Sequence, residues 1–195
     1  MQVRNPTPAD LELLSPDLRD GVDRDDLRVY EGDLVVDGHL VGGEPPMDDF
    51  GSLMVLGNLT VNGTVGLDEG GSLIVTGALR CKNLYCIGNL LVRGPTTVDE
   101  CVFGFYEGGI SCFDDVLRAR VFLQGDHSFE LSAVEAGTHL VFGNYQGLTE
   151  GTEEQARAAL TDEGYAAVSE LMGLSDDEPE EEFVSLLFRG SVVRR

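Results

Sequence analysis

Basic residues are scarce in this chain: 13 lysines and arginines stand against 35 aspartates and glutamates over 195 residues. The formal net charge of -22 repels nucleic acids and anionic membranes, because both are themselves negative. The same charge favours fast encounter with a basic protein, or it serves solubility alone. The composition therefore predicts no nucleic-acid and no membrane partner. Two alternatives remain: the acidic surface binds a basic protein, or it is only solvated.

Long apolar runs are also missing. No stretch approaches the roughly 18 apolar residues that a membrane span needs. The N-terminal sequence MQVRNPTPADLELL has no apolar run after a basic start, so it does not indicate a secretory signal. We therefore expect a cytoplasmic protein, with enough apolar content, 42%, for a single domain with its own core.

The few cysteines show no metal-binding spacing. Cys81, Cys86, Cys101 and Cys112 form no CxxC pair and have no histidine at zinc-finger spacing. We expect four small buried thiols in a reducing compartment. The Gly-Gly-x-Gly-x-Asp nonapeptide of calcium-binding β-rolls is absent as well. The sequence predicts no metal site and no cofactor.

What the sequence does have is a repeated phrase between Gly32 and Gly94, with the variants GDLVVDGHLVGG, GSLMVLGNLTVNG, GSLIVTGALRCKN and GNLLVRG. Leu34, Leu53 and Leu73 recur at a period of about 19 to 20 residues, which suits one coil of a solenoid. Alternating apolar residues and glycine corners at this period indicate a parallel β-helix. No helical segment interrupts the strands, which disfavours a doubly wound α/β fold. We predict a mainly β protein with a parallel β-helix, expected to be right-handed, over residues 27–145.

Alternation along the strands assigns side chains to faces. Two steps of this period superpose Leu79 on Leu117, and one further step takes Ser111 to Glu130. We expect six or seven coils. The side chains predicted to point inward are Leu34, Val36, Leu53, Val55, Leu59, Val61, Leu73, Val75, Leu79 and Cys81.

The two flanks are predicted to cover the solenoid ends. Residues 1–26 are expected to form an N-terminal cap with a short helical turn over 9–14. Residues 146–195 are expected to form a small helical cap, because Thr152 and Gln155 make a capping box, and Asp162–Met172 and Pro179–Arg189 have helical patterns. Their one-sided apolar stripes favour packing on the open C-terminal end, and a homodimer contact through these helices is the alternative.

Acidic pairs and aromatic residues are the candidate partner-binding groups. The pair Asp48-Asp49 precedes Asp68-Glu69 by one step of the repeat, so the two pairs should stack on one corner. Stacked carboxylates repel unless a positive group meets them, and that group is a basic protein or only counterions. Aromatic residues beside charge are typical anchors of an interface, or else plain core. The predicted site comprises Asp48, Asp49, Asp68, Glu69, Asp99, Glu100, Phe105, Tyr106, Glu107, Asp114 and Asp115.

An enzyme is the less favoured interpretation. Hexapeptide β-helices include acyltransferases that use a histidine as general base. In this chain, however, the glycine precedes x-Leu-x-Val, the hexads run for only two or three repeats, and His39, His127 and His139 stand alone. We therefore predict no catalytic residue, with a hexapeptide-type acyltransferase as the third alternative.

Two families share the style of this repeat. The phrases GDLVVDGHLV, GSLMVLGNLTVNGTV and GSLIVTGALRCKNLYCIGNLLV resemble those of bactofilins, bacterial proteins whose β-helices stack end to end into filaments. The phrase GSLxVxGxL with the aromatic-rich FGFYEGG also resembles β-helical immunity proteins of bacterial polymorphic toxin systems. That second resemblance implies a non-enzymatic antitoxin, monomeric or dimeric, that occludes a cationic toxin domain. A bactofilin-like scaffold is the alternative, although the predicted C-terminal cap would close an end that a filament needs open.

Overall fold

A computed structural model confirms the predicted class: the chain is mainly β, and its parallel strands wind into a β-solenoid accompanied by short helices. The structure describes residues 1–14, 18–19, 22–42, 47, 51–67, 69–105, 109–143, 147–173 and 179–194.

The secondary structure elements are short at the start of the solenoid and longer at its end. The strands are β1 Leu27–Glu31, β2 Leu34–Val36, β3 Leu40–Val41, β4 Ser52–Leu56, β5 Leu59–Leu67, β6 Ser72–Val75, β7 Leu79–Cys86, β8 Asn89–Val92, β9 Thr96–Gly104, β10 Ile110–Gln124, β11 Ser128–Gly143 and β12 Gly147–Glu150. The helices are α1 Pro8–Leu11, α2 Glu153–Ala159, α3 Asp162–Gly173 and α4 Pro179–Arg189.

The strands stack on three sides of the solenoid. The first side contains β1, β4, β6, β8 and the first parts of β10 and β11. The second side contains β2, the first parts of β5, β7 and β9, and the middle of β10 and β11. The third side contains β3 and the last parts of the same long strands. All these pairs are parallel, whereas β12, which the sequence did not predict, runs antiparallel to the end of β11.

The step between coils varies around the predicted period. On the first side Leu27 pairs with Ser52, Ser52 with Ser72, and Ser72 with Asn89, so the first three steps are 25, 20 and 17 residues. The next step, from Leu90 to Ser111, is 21 residues. The predicted step from Leu34 to Leu53 is wrong, because Leu34 pairs with Leu59. The predicted superposition of Leu79 on Leu117 is confirmed, since both residues pair with Thr96. The predicted step from Ser111 to Glu130 is wrong by a single position, because Ser111 pairs with Phe129.

The predicted inward face is confirmed. All ten side chains assigned to it are buried in one core cluster, which continues through Leu40, Val65, Leu84, Val102 and Phe122 on the third side. Burial of each large apolar side chain contributes about 1.5–3 kcal/mol, so this column is the main source of stability. The predicted four buried thiols are also found.

The flanking segments cover sides of the solenoid, which differs from the predicted end caps. On the outside of the first side, Met54, Ile74 and Leu91 pack against Leu14 and Leu18 of the N-terminal segment. Strands that are buried on both faces have continuous apolar sequences instead of alternating ones. This explains the sequences SLMVL of β4 and NLLV of β8. The first-coil edge is instead paired by Arg4, whose backbone N–H and carbonyl both bond to Val29.

The C-terminal helices cover the outside of the third side. The cluster beneath them contains Tyr85, Phe103 and Leu123 from the strands, and Phe183 and Leu187 from α4. The helices have the predicted positions along the chain, and the predicted capping box of Thr152 and Gln155 is present. None of the described helices is long and apolar enough to cross a membrane.

Two buried polar side chains fix the position of α4. The Thr64 hydroxyl and the Asn83 side-chain amide both donate to the Leu187 carbonyl oxygen, at 3.1 and 2.9 Å. The same oxygen also accepts the Gly190 backbone N–H at 3.1 Å. The two side chains therefore add partners from the second and third coils and hold the helix against the solenoid.

Stacked glycines form the corner between the first and second sides. A Cβ on Gly57 would lie 2.5 Å from the Gly32 carbonyl oxygen, and one on Gly77 would lie 2.7 Å from that of Gly57. Successive coils thus pack backbone against backbone at this corner. This contact explains why every variant of the repeated phrase has a glycine there.

Replacement of this glycine tests the corner contact. We expect Gly57→Ala to lower the free energy of unfolding by about 1–3 kcal/mol, since the added methyl overlaps backbone atoms that cannot move independently. Chemical denaturation measures the change. Gly51→Ala is the matched control, because its Cβ would meet its nearest neighbour, the Asp26 side chain, at an ordinary 3.6 Å. Equal stability of the two variants would contradict this explanation of the repeat.

Candidate partner-binding surface

The outside of the second side remains open in the described part of the chain. Its outward residues line up across the coils in the order Val35, Thr60, Arg80, Thr97, Arg118 and Glu135. Val35 is 65% exposed, and the Arg80 side chain is 62% exposed. Most of these side chains are polar, so this side needs no cover from the flanking segments.

Ion pairs between neighbouring coils run along this surface and its edges. Arg80 lies 2.9 Å from Asp99, and Lys82 lies 3.7 Å from Glu100. Two further pairs, Arg93 with Asp114 at 2.7 Å and Arg118 with Glu135 at 2.8 Å, have the same coil-to-coil arrangement. Exposed ion pairs of this kind add little stability. They place basic residues beside Asp99, Glu100, Asp114 and Glu135 and leave the formal net charge of the chain at -22.

The predicted site residues are distributed over three corners. Asp99 and Glu100 follow the second-side part of β9, and Asp114 and Asp115 precede the second-side part of β10, so these two pairs flank the open side. Glu69 and Phe105 lie between the third and first sides. The structure does not bring these groups to one edge. Asp48, Asp49, Asp68, Tyr106 and Glu107 lie outside the described residues, so their predicted stacking stays a prediction.

Phe105 extends an internal aromatic cluster. Its ring stacks on Phe103 at 5.9 Å, and Phe103 contacts Tyr85 at 5.7 Å and Phe183 at 4.7 Å. Phe103 is fully buried and Phe105 is partly buried. Core packing is therefore the role of Phe103, while Phe105 still presents part of its ring at the surface.

A shallow groove of about 240 Å³ lies at the edge between the second and third sides. Inside it, Glu100 Oε2 is buried and has no hydrogen-bond partner. Buried acceptors are normally satisfied, so a donor group from a partner would find a ready site there. The groove is lined by Thr60, Val61, Asn62, Arg80, Cys81, Lys82, Asp99 and Glu100.

The reactive side chains of the core are sequestered. His127 Nε2 lies 2.8 Å from the Ser111 hydroxyl oxygen, and both residues are at most 2% exposed. Burial raises the pKa of the Cys86 thiol to about 12, although a hydrogen bond with Ser111 opposes this. Burial also raises the pKa of Cys81 and Cys101. Thiols that stay protonated and buried are poor nucleophiles and poor metal ligands.

The other two histidines also have structural contacts. His39 Nδ1 accepts a hydrogen bond of 3.0 Å from the Thr64 backbone N–H, and its ring meets Phe188 edge-on. His139 stacks on Phe122 with the ring centroids 4.5 Å apart, and burial lowers its pKa. Among the described residues, no group of three or more histidine, cysteine or acidic side chains could hold a metal ion.

Comparison with known proteins adds no relative: no family model, no curated protein and no solved structure matches this chain. Arg80 and Lys82 belong to the candidate surface but were not predicted from the sequence. The available signal was that Asp99 and Glu100, their ion-pair partners, follow them by about one coil length along the chain.

Thiol accessibility tests the sequestered core. We expect a thiol reagent such as a disulfide-exchange dye to label Cys81, Cys86 and Cys101 of the native protein only at the rate of unfolding, since all three are at most 1% exposed. Mass spectrometry of the labelled protein identifies the sites. The same protein in denaturant is the control and should react at once. Rapid labelling of any of the three in native buffer would contradict the burial described above.

Proposed function

We propose that this protein is a non-enzymatic binding protein, an immunity protein that neutralises a cationic bacterial toxin domain by occluding it. One observation carries the proposal. The chain has 35 acidic and 13 basic residues, so a surplus of 22 acidic residues remains whichever ion pairs form within the chain, and this surplus is free to meet a basic partner. The cytoplasm, where such an antitoxin acts on an incoming or newly made toxin, is the proposed location.

The open second side is the proposed contact surface, with the acidic pairs on both of its edges. Opposite charge accelerates encounter and selects a basic partner. Charge alone would give a complex that salt dissociates, so tight inhibition also needs a buried apolar centre. Val35 on the open side is the proposed apolar anchor, whereas Phe105 and Tyr106 remain anchors predicted from the sequence alone. The unsatisfied oxygen of Glu100 offers an acceptor for a lysine or arginine of the toxin.

Two observations support binding over catalysis or scaffolding. His127 and the four thiols are buried, and the rings of His39 and His139 pack against Phe188 and Phe122. A filament of stacked solenoids needs both ends open, whereas the first coil here is paired by Arg4, and Val3 packs on the core. The apolar residues Phe183 and Leu187 of α4 are used inside the chain, which favours a monomer over a dimer through the helices.

Charge reversal at the two acidic corners of the open side tests the electrostatic part. We expect this corner variant, with Asp99, Glu100, Asp114 and Asp115 changed to lysine, to associate several-fold more slowly with the basic domain of the proposed toxin. The salt dependence of association should largely disappear, because steering by those charges is lost. Stopped-flow mixing over a salt series measures both.

A second quadruple variant separates position from net charge. Asp176, Asp177, Glu180 and Glu181 changed to lysine alter the net charge by the same amount, at the C-terminal acidic run. This control should associate nearly as fast as the natural protein. Unchanged kinetics of the corner variant at low salt would reject the acidic corners, and failure of the natural protein to bind or inhibit the toxin domain would reject the proposed function.

A further inference from the structure

The last coil of the solenoid leaves its inward side chains without cover. In the preceding coil, which β10 forms, the inward residues Phe113, Leu117 and Phe122 are at most 1% exposed. Their partners one coil down are Leu131, Val134 and His139. Val134 is 38% exposed, and the other two are only partly buried. The same inward positions are thus sealed in one coil and open in the next, because no strand follows below them in the described part of the chain.

The same coil presents a free strand edge. One edge of β11 pairs with β10, but its other edge pairs with β12 only over Val141–Gly143 among the described residues. Residues 128–140 therefore offer backbone N–H and carbonyl groups to a further strand. Exposed edges are templates for strand addition, and proteins usually guard them with lysine or proline. The sequence of β11, SFELSAVEAGTHLVFG, contains neither.

One polar atom at this end also lacks a partner. His139 Nε2 is buried and makes no hydrogen bond, while the ring lies flat on Phe122. A buried polar atom without a partner costs free energy, and a polar group on an added strand would remove that cost. The open core, the free edge and this nitrogen all lie on one surface, which we call the terminal edge.

The charge around the terminal edge selects the kind of occupant. Residues 121–156 contain six acidic residues and no lysine or arginine. Glu130, Glu135 and Glu150 belong to the two strands at this end. A second copy of the chain would bring the same charges and be repelled. A basic segment would be attracted.

We propose that the terminal edge binds an extended segment of a basic polypeptide, in which apolar side chains alternate with lysine or arginine, as an added β-strand. Its apolar side chains would cover Leu131, Val134 and Ala136, as a further coil would. Its basic side chains would meet Glu130 on the outside, whereas Glu135 already pairs with Arg118 of the preceding coil. Main-chain hydrogen bonds supply affinity in this mode of recognition, and alternate side chains supply specificity. That the segment belongs to a toxin rests on the proposed function; the strand addition itself does not.

A defined peptide tests the terminal edge without any toxin. The probe is a blocked peptide of about ten residues that alternates valine and lysine, a length that matches a long strand. We expect saturable binding to the natural protein and slowed hydrogen exchange of backbone amides within residues 128–140. Binding should weaken in high salt. A peptide that alternates valine and glutamate should not bind.

Two apolar residues of nearly equal exposure provide matched variants. We expect Val134→Lys to weaken binding of the valine-lysine peptide at least ten-fold, since an inward-pointing charge at an edge blocks strand addition. Leu13→Lys introduces the same charge in the N-terminal segment, at a residue that is 37% exposed against 38% for Val134, and should leave peptide binding unchanged. Thermal melts by circular dichroism establish that both variants fold. The exchange measurement on the natural protein stands even if Val134→Lys does not fold.

Several results would overturn the inference: no protection of residues 128–140, equal loss of binding in the Val134→Lys and Leu13→Lys variants, or equal binding of the acidic peptide. Sedimentation of the natural protein as a dimer that Val134→Lys dissociates would make the occupant a second copy and would also overturn it. Peptide capture combined with failure to neutralise the toxin would reject the proposed function alone. Toxin binding without peptide capture would reject only the terminal edge.

Discussion

Backbone hydrogen bonding between successive coils is the constraint on which the other features of this protein depend. It places Leu34, Leu59 and Leu79 in one column and keeps them in register. A slip of one residue would turn that column toward solvent, since side chains alternate along a strand. The close approach of coils is possible at the first corner because Gly57 and Gly77 leave room for the backbone of the preceding coil.

The stack has three outer surfaces, and the residues that point outward decide which of them can meet a partner. Met54 on the first side and Tyr85 on the third side are large and buried, and segments of the chain itself cover them. On the second side the outward residues include Thr60 and Arg80, which are stable in water. The second side and the terminal edge are therefore the two proposed contact surfaces, and the acidic surplus would favour basic partners at both.

Patterns over a few neighbouring residues were enough to predict the strands and helices. They did not predict which surface of the solenoid each flanking segment packs against. The inward residues from Leu34 to Cys81 follow from strict alternation within each phrase, and α2 follows from the capping box at Thr152. The predicted pairing of Ser111 was wrong by one residue because the corners differ in length from coil to coil. A constant period does not account for a corner that is one residue shorter. An apolar stripe such as that of α4 indicates that a helix is packed, but it does not indicate against which surface. The predicted partner-binding site lacked Arg80 and Lys82, because carboxylates such as Asp99 were considered without the basic residues one coil away.

A hydrogen-exchange footprint of the protein bound to its basic partner would show which outer surfaces are used. We expect slowed exchange in the second-side strands around Thr60, Arg80 and Thr97, and in residues 128–140 of the terminal edge. Slowed exchange confined to the outer strands of the first and third sides, with the flanking segments displaced, would contradict this assignment of the binding surfaces.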